Sequence, residues 1–309
     1  MNSRFYSYKV GFSWISENTF SVKLTSIIND FISFLISTSL FLAISGSLKV
    51  IFSGLLYNIF ELNIAIITFL ITFSIYGLNK LTDLNEDVIN TPERAKIIKK
   101  IESILKFFVA FSFILSLILG YLDNILMLPV LIFPLFLGTL YSVKLSNNLP
   151  RLKDITGVKN ITIALSWAVV STLLPALYLS EKKTLLIIVI FNFFFLKSYI
   201  NSVLFDVRDI EGDCINGVRT LPVFLGINKT KNLLLILNSI NIFWVILSYF
   251  QGFFQEYLFI LIFAIAYGYW YILHFCREGK KLGKSLDLLV DGEFIIIVFL
   301  ASVRYFMPI

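Results

Sequence analysis

The chain is poor in the residues that build soluble or disulfide-held proteins. One histidine, His274, and two cysteines, Cys214 and Cys276, stand among 309 residues. A lone histidine supports neither a histidine-based metal site nor a Ser-His-Asp triad. Two cysteines are too few for a disulfide framework. There is no glycine-rich phosphate loop. Charged residues make up only 15% of the chain, against about 25% in an average soluble domain. What fills the space is apolar: 58% hydrophobic and 16% aromatic residues, with a mean hydropathy of +0.85. A water-soluble globular fold of this length has no means of hiding so much apolar surface, so that class is excluded. Residues 1–24 lack the ordered charged, apolar and small-residue regions of a secretory signal. They read as a cytoplasmic segment able to form a short interfacial helix. The net charge is +6. On a membrane protein such an excess reads as loop charge that sets topology, not as a nucleic-acid patch.

A transmembrane helix needs about 20 apolar residues. Nine such runs are legible, roughly 28–48, 60–79, 102–121, 124–142, 159–179, 183–204, 231–252, 256–275 and 287–307. They predict an all-α, single-domain, nine-helix membrane bundle over 1–309. Twenty Lys and Arg fall in one set of loops and four (Lys49, Lys182, Lys183 and Arg304) in the other, while Lys106 and Lys197 lie within runs. The positive-inside bias puts the N-terminus and the long polar loops in the cytoplasm, where both cysteines stay reduced.

Two acidic clusters end two of these runs. Asn79, Asp83 and Asp87 are spaced i, i+4, i+8, and Asp206, Asp209 and Asp213 are spaced i, i+3, i+7. Each spacing stacks side chains on one helix face. Thr91-Pro92 reads as the N-cap and first residue of a new helix, and Gly212 is expected to weaken helix continuity. The segments 83–90 and 209–216 share D-x-x-x-D-x-I-N, a weak parallel internal repeat. A single acid at a span end is an ordinary solvated helix terminus. Two matched, face-aligned sets repel internally unless a cation joins them. Oxygen-only clusters suit Mg²⁺, which binds through a few carboxylates plus substrate phosphates. Arg94, Lys144, Arg151, Lys153 and Arg219 stand in the same loops as candidates to neutralise a diphosphate. A diphosphate at the membrane face, with its remainder in an apolar bundle, is an isoprenoid diphosphate. Metal ions and cations would stabilise the leaving group. Aromatic faces would stabilise the allylic cation, and Tyr76, Trp167 and Tyr199 are the candidates. Lys197, inside a run about two turns from Asp206, is a candidate substrate contact or the partner of a buried acid.

These residues resemble the UbiA superfamily of intramembrane prenyltransferases. The family's N-D-x-x-D-x-x-x-D motif stands here as Asn79-Lys80-Leu-Thr-Asp83-Leu-Asn-Glu-Asp87, and its D-x-x-x-D motif as Asp209-Ile-Glu-Gly-Asp213. Tyr141-Ser, Arg151-Leu-Lys153 and Gly157-Val-Lys-Asn160 are similar to its third cytoplasmic region. The resemblance implies nine helices around a laterally opening cavity, with both motifs facing the cytoplasm. It implies two Mg²⁺ and a diphosphate held by Asn79, Asp83, Asp87, Asp209 and Asp213, with Arg94, Lys144 and Lys153 as basic partners. Lys80 replaces the motif's usual Asp, and its i+1 position is expected to turn it off the metal face. The implied reaction moves a polyprenyl group to a small acceptor, most commonly an aromatic quinone precursor. Other members use glycerol-phosphate lipids, haem, chlorophyllide or a sugar phosphate. A terpene cyclase of the same type would share both motifs. A transporter would instead place its ionisable groups near mid-membrane.

Overall fold

The computed structural model describes residues 14–84, 87–88, 91–142, 155–181, 183–215, 217–279 and 282–306. Among these every regular element is helical. The long helices are α1 (Trp14–Ser37), α2 (Leu40–Leu56), α3 (Leu62–Thr82), α4 (Pro92–Asp123), α5 (Met127–Ser142), α6 (Val158–Ala176) and α7 (Thr184–Ile215). After the short α8 (Leu221–Leu225) come α9 (Ile227–Phe250) and α10 (Leu258–Phe275). One helical turn, Lys284–Leu286, and a π-helical stretch, Asp287–Asp291, lead into α11 (Glu293–Phe306). Six helices are long and apolar enough to cross a membrane, and a seventh span arises if the bent pair α1–α2 counts as one. The chain is an integral membrane protein.

Each apolar run meets a helical segment, but three differ from straight spans. The run at 28–48 is broken: α1 and α2 meet at 68°. Ser39 sits at the break with φ 66°, a left-handed conformation that costs a non-glycine residue roughly 1 kcal/mol or more. The fourth and last runs give helices of 16 and 14 residues, shorter than a full span. Lys49, read as an external loop charge, lies inside α2 and is 2% exposed. The run ended about two helical turns too early because its average fell at the lysine. The helix through the second acidic motif continues past buried Gly212 to Ile215. Thr91 and Pro92 begin α4 as its N-cap and first residue. The two cysteines are free, and burial pushes the Cys276 thiol up to about 12.

The helices are apolar nearly all round, which is the pattern of segments buried on one side and bathed in lipid on the other. Ile104, Phe107, Phe108, Phe111 and Ile114 of α4 are exposed. Inside, α2 packs on α3, α3 on α4, and α6 along α7. An aromatic core joins α2, α7, α9 and α11. Phe52 lies 6.3 Å from Phe193 and 6.2 Å from Phe294, and Trp244 donates its indole N–H to the Val189 carbonyl at 2.6 Å. Small residues set the closest approaches. A Cβ on Gly46 would meet Thr72 Oγ1 at 2.8 Å and the Trp167 ring at 3.1 Å, so α2 can lie against α3 and α6 only with glycine there.

Candidate active site

A cavity of about 240 Å³ opens among the elbow of α1 and α2, the C-terminal turns of α3, the start of α4, α6, α7 and the π-helical stretch. Its walls carry charge of both signs: Lys49, Lys80, Arg94, Lys159 and Arg208 against Asp83, Asp87, Asp206, Asp287 and Asp291.

The first acidic motif reaches the cavity because the α3 backbone keeps winding past its formal end. The amides of Asp83, Asp87 and Thr91 each donate to the carbonyl four residues earlier, at 2.9 Å. Asn79, Asp83 and Asp87 thus share one wall with Tyr76. Asp87 is 5% exposed. Arg94 grips it bidentately, its Nε donating to Oδ2 at 2.8 Å and its Nη2 to Oδ1. The Thr82 hydroxyl donates to Asp83 at 3.2 Å. Desolvation at the mouth raises the Asp83 carboxyl above the usual carboxylate range, Thr82 opposes this, and the Asp87 charge adds to it. Lys80 does not turn away. It lines the cavity beside Asp83 and Arg94, because a residue 100° round a helix from the acidic face still borders a cavity that spans several helices.

The second motif is held more elaborately. Asp206, 1% exposed, accepts from Lys159 Nζ at 2.8 Å and from Asn160 Nδ2 at 2.7 Å, and Asn160 also donates to Ser202 Oγ at 3.0 Å. Lys159 and Asn160 sit in the first turn of α6, whose N-cap Gly157 adopts φ 84°. Arg208 donates to Asp209 at 2.8 and 3.1 Å and to Asp287 at 3.2 Å, tying α7 to the last segment of the chain. Asp209 and Asp213 lie on the same helix beyond the cavity wall. Oδ2 of Asp213 is buried with no hydrogen-bond partner among the described residues. A buried carboxylate oxygen left unsatisfied is costly, and it suits a hard cation.

The other expected site residues divide. Tyr76 and Trp167 line the cavity and stack with centroids 5.7 Å apart. Lys49 also lies over Trp167, its Nζ 3.9 Å from the ring centroid. Tyr199 does not line the cavity; it stacks on Phe195 at 6.3 Å. Lys197 is walled off as well. Its Nζ pairs with Glu293 at 2.5 Å and donates to Tyr271 Oη at 2.9 Å and to the Ala264 carbonyl at 3.1 Å. It reaches the cavity only through Tyr271, whose hydroxyl donates to Asn201 of the cavity wall at 3.1 Å. Arg219 is exposed in the turn after α7. Lys144, Arg151 and Lys153 lie outside the described residues.

Sequence reasoning passed over Lys49, Lys159, Asn160, Arg208, Asp287 and Asp291. The last two repeat the D-x-x-x-D spacing of both motifs, a signal that was available. Among the described residues no three acids or histidines converge on one point. Asp87, Asp206 and Asp209 each face a cation instead.

The UbiA prenyltransferase family model matches residues 31–286. The chain belongs to the UbiA prenyltransferase family. With membership comes the enzyme class, prenyl transfer. This UbiA chain is 31% identical over 231 residues to a digeranylgeranylglyceryl phosphate synthase of Sulfolobus acidocaldarius, a match spanning 74% of this chain and 81% of that one. Among solved structures it is similar to a UbiA homologue from Archaeoglobus fulgidus bound to GPP and Mg²⁺. There the TM-score is 0.66 at 18% identity, over 89% of this chain and 98% of that one. The same homologue bound to DMAPP and Mg²⁺ gives a TM-score of 0.63 at 18% identity, covering 89% and 97%. A digeranylgeranylglyceryl phosphate synthase structure gives 0.59 at 22% identity, covering 90% and 98%. The UbiA fold extends over nearly the whole chain.

Proposed function

We propose that the chain transfers a polyprenyl group from an isoprenoid diphosphate to a hydroxyl-bearing acceptor, with Mg²⁺ at the mouth of the cavity. The carrying observation is the placement of the first motif, Asp206 and five cations around one cavity backed by Tyr76 and Trp167. The donor set fits the metal: oxygen atoms only, on the ends of two helices, with one buried carboxylate oxygen of Asp213 lacking a partner among the described residues. Asn79, Asp83, Asp87, Asp206, Asp209 and Asp213 would hold Mg²⁺. When bound, Mg²⁺ supplies the positive charge that makes diphosphate a leaving group.

The chain's own residues do the rest. Arg94, Lys159 and Arg208 pair with the acids Asp87, Asp206, Asp209 and Asp287. They are placed to turn from carboxylate to diphosphate oxygens once those acids take up metal, Arg in bidentate fashion and Lys as a point charge. Lys80 adds charge at the same level. Lys144 and Lys153 are further basic partners on the strength of the family resemblance, and Arg219 by its place in the loop after the second motif. Tyr76, a ring in the cavity wall, offers its π-face to the allylic cation. The apolar stretch of wall, Ile36, Phe41, Leu42 and Ile163, holds water off the cation and receives the prenyl chain. The mouth faces the cytoplasm by charge bias, which strengthens once Lys49 leaves the opposing set and only Lys182, Lys183 and Arg304 remain there. The Sulfolobus relative favours a glyceryl phosphate lipid as acceptor.

Detergent-purified protein incubated with Mg²⁺ and geranylgeranyl diphosphate, with and without acceptors, tests this by mass spectrometry of the products. A prenylated glyceryl phosphate lipid is the expected product, and removal of Mg²⁺ by EDTA abolishes it. A prenylated aromatic hydroxy acid instead reassigns the acceptor. A cyclised hydrocarbon or alcohol formed without acceptor replaces transfer by cyclisation. Absence of diphosphate release under every condition overturns the reading.

A further inference from the structure

Two ionisable residues of the cavity belong to neither acidic motif and sit where charge is expensive. Lys49 is 2% and Asp291 9% exposed, and both line the cavity. Lys49 lies in the middle of α2. Asp291 closes the π-helical stretch of the last segment. Such stretches occur frequently at functional sites, and ionisable groups inside a membrane bundle are retained for a reason. The local structure is built around the pair. Ser45, one turn before Lys49, donates to the Asp291 backbone carbonyl at 2.5 Å. Gly292 follows, where a Cβ would strike the Leu288 carbonyl oxygen at 2.0 Å. Lys49 is fixed over Trp167 at 3.9 Å, and Trp167 stacks on Tyr76. Asp291, Lys49, Trp167 and Tyr76 all line the same cavity. The phenol is the face offered to the allylic cation.

The charged groups facing Asp291 are Lys49, Asp287, Arg208 and Lys80, and Glu293 in turn faces Lys49. Arg208 is engaged by Asp209 and Asp287, and Glu293 by Lys197. Lys49 and Lys80 remain as cations facing Asp291, and Lys49 is the buried one, on the helix whose Ser45 bonds the Asp291 backbone.

Prenyl transfer to a hydroxyl has a proton to remove. The C1–O bond of the donor breaks and its electron pair leaves with diphosphate. An acceptor oxygen lone pair forms the new C–O bond, and the hydroxyl proton must go elsewhere. The motif acids face the metal and the diphosphate. We propose that Asp291 is the base that takes this proton, and that Lys49 is a positioning residue that keeps the Asp291 carboxylate ionised and aimed into the cavity. The acceptor's hydroxyl then binds between Asp291 and Tyr76. This rests on the prenyl-transfer reading above.

The test uses purified full-length protein, Mg²⁺ and geranylgeranyl diphosphate labelled with ¹⁸O at the bridging position. Three activities are read: donor binding, scrambling of the label without acceptor, and transfer with acceptor. Asp291→Asn is expected to lower transfer about 100-fold or more, with donor Kd within about threefold and scrambling retained. Because Asp291→Asn strands Lys49 as a buried cation, the double variant Lys49→Met/Asp291→Asn is measured beside it. Removing both charges of a buried pair is tolerated far better than removing one. The double variant is expected to fold, to bind donor, and to lack transfer. Wild-type turnover in either variant overturns the proposal. Loss of donor binding and scrambling together with transfer overturns it too, by moving Asp291 to the diphosphate side. A double variant that fails to fold assigns the pair to architecture alone and overturns it. Absence of transfer by the wild type sinks the underlying reading itself, an outcome the unmutated arm identifies.

Discussion

Replacing Lys197 by Met should destabilise the protein severely, and replacing its partner as well should restore it. Lys197 and Glu293 are 1% and 0% exposed, with Nζ and Oε1 2.5 Å apart. Water screens neither charge. Removing one member of such a pair leaves the other stranded, at a cost of about 3–5 kcal/mol. The lower end applies to Lys197→Met, because Glu293 still feels the Lys49 ammonium. At roughly 2 °C per kcal/mol for a chain of this size, the melting temperature in detergent should fall by about 6 °C. Glu293→Leu should do the same. The double variant Lys197→Met/Glu293→Leu removes both charges, and its melting temperature is expected within about 3 °C of the wild type, at roughly 1.5 kcal/mol. Turnover should return with stability, since Lys197 touches the cavity only through Tyr271 and Asn201. Three melting curves and one activity measurement suffice. A double variant as unstable as either single variant would refute the pairing argument. A double variant that is stable but inactive would show that Lys197 acts in catalysis after all.

Two further outcomes follow from the cavity. Asp83→Ala and Asp209→Ala should each lower turnover by about 100-fold or more, since metal-bound acids stabilise the charge of the leaving group; near-wild-type turnover in both would remove them from the metal site. Gly46→Ala should cost about 1–3 kcal/mol by overpacking and should lower turnover as well. The new methyl would press on the Trp167 ring, over which Lys49 lies and on which Tyr76 stacks; a thermal shift without loss of turnover would show that this stacking is not needed.

What was legible in the sequence, and what was not, follows from how each signal is carried. Acids that end an apolar run at helical spacing cannot be mistaken for its interior, so Asn79, Asp83, Asp87, Asp206, Asp209 and Asp213 were visible. Single charges within or beside a run are diluted by their neighbours. Lys49 passed as a loop residue, and Lys159 as one topological charge among many. Asp287 and Asp291 follow a basic stretch, Arg277–Lys284, that drew the eye to topology. The elbow between α1 and α2 has no Pro or Gly to announce it. Its break falls in Ser37-Thr38-Ser39, where only a left-handed serine marks it. Lys197 was visible as a charge inside a span, but its partner, 96 residues further on, could not be paired to it by spacing. The direction of Lys80 failed for a different reason. A helical wheel gives angles about one axis, whereas a cavity among several helices accepts side chains over a wide arc.

The walls of the cavity run from Ile36 to Asp291, and Arg208 stitches the second motif to the last segment. Such an enclosure cannot be assembled by half a chain. Membrane spans enter the bilayer in order of synthesis, so the earlier helices stand for a time with both acidic motifs in place and one side of the chamber missing. The last wall of the cavity arrives only with the final segment, which carries Asp287 and Asp291. A chain truncated before Asp287 would be an open vessel, in which any prenyl cation formed would be lost to water.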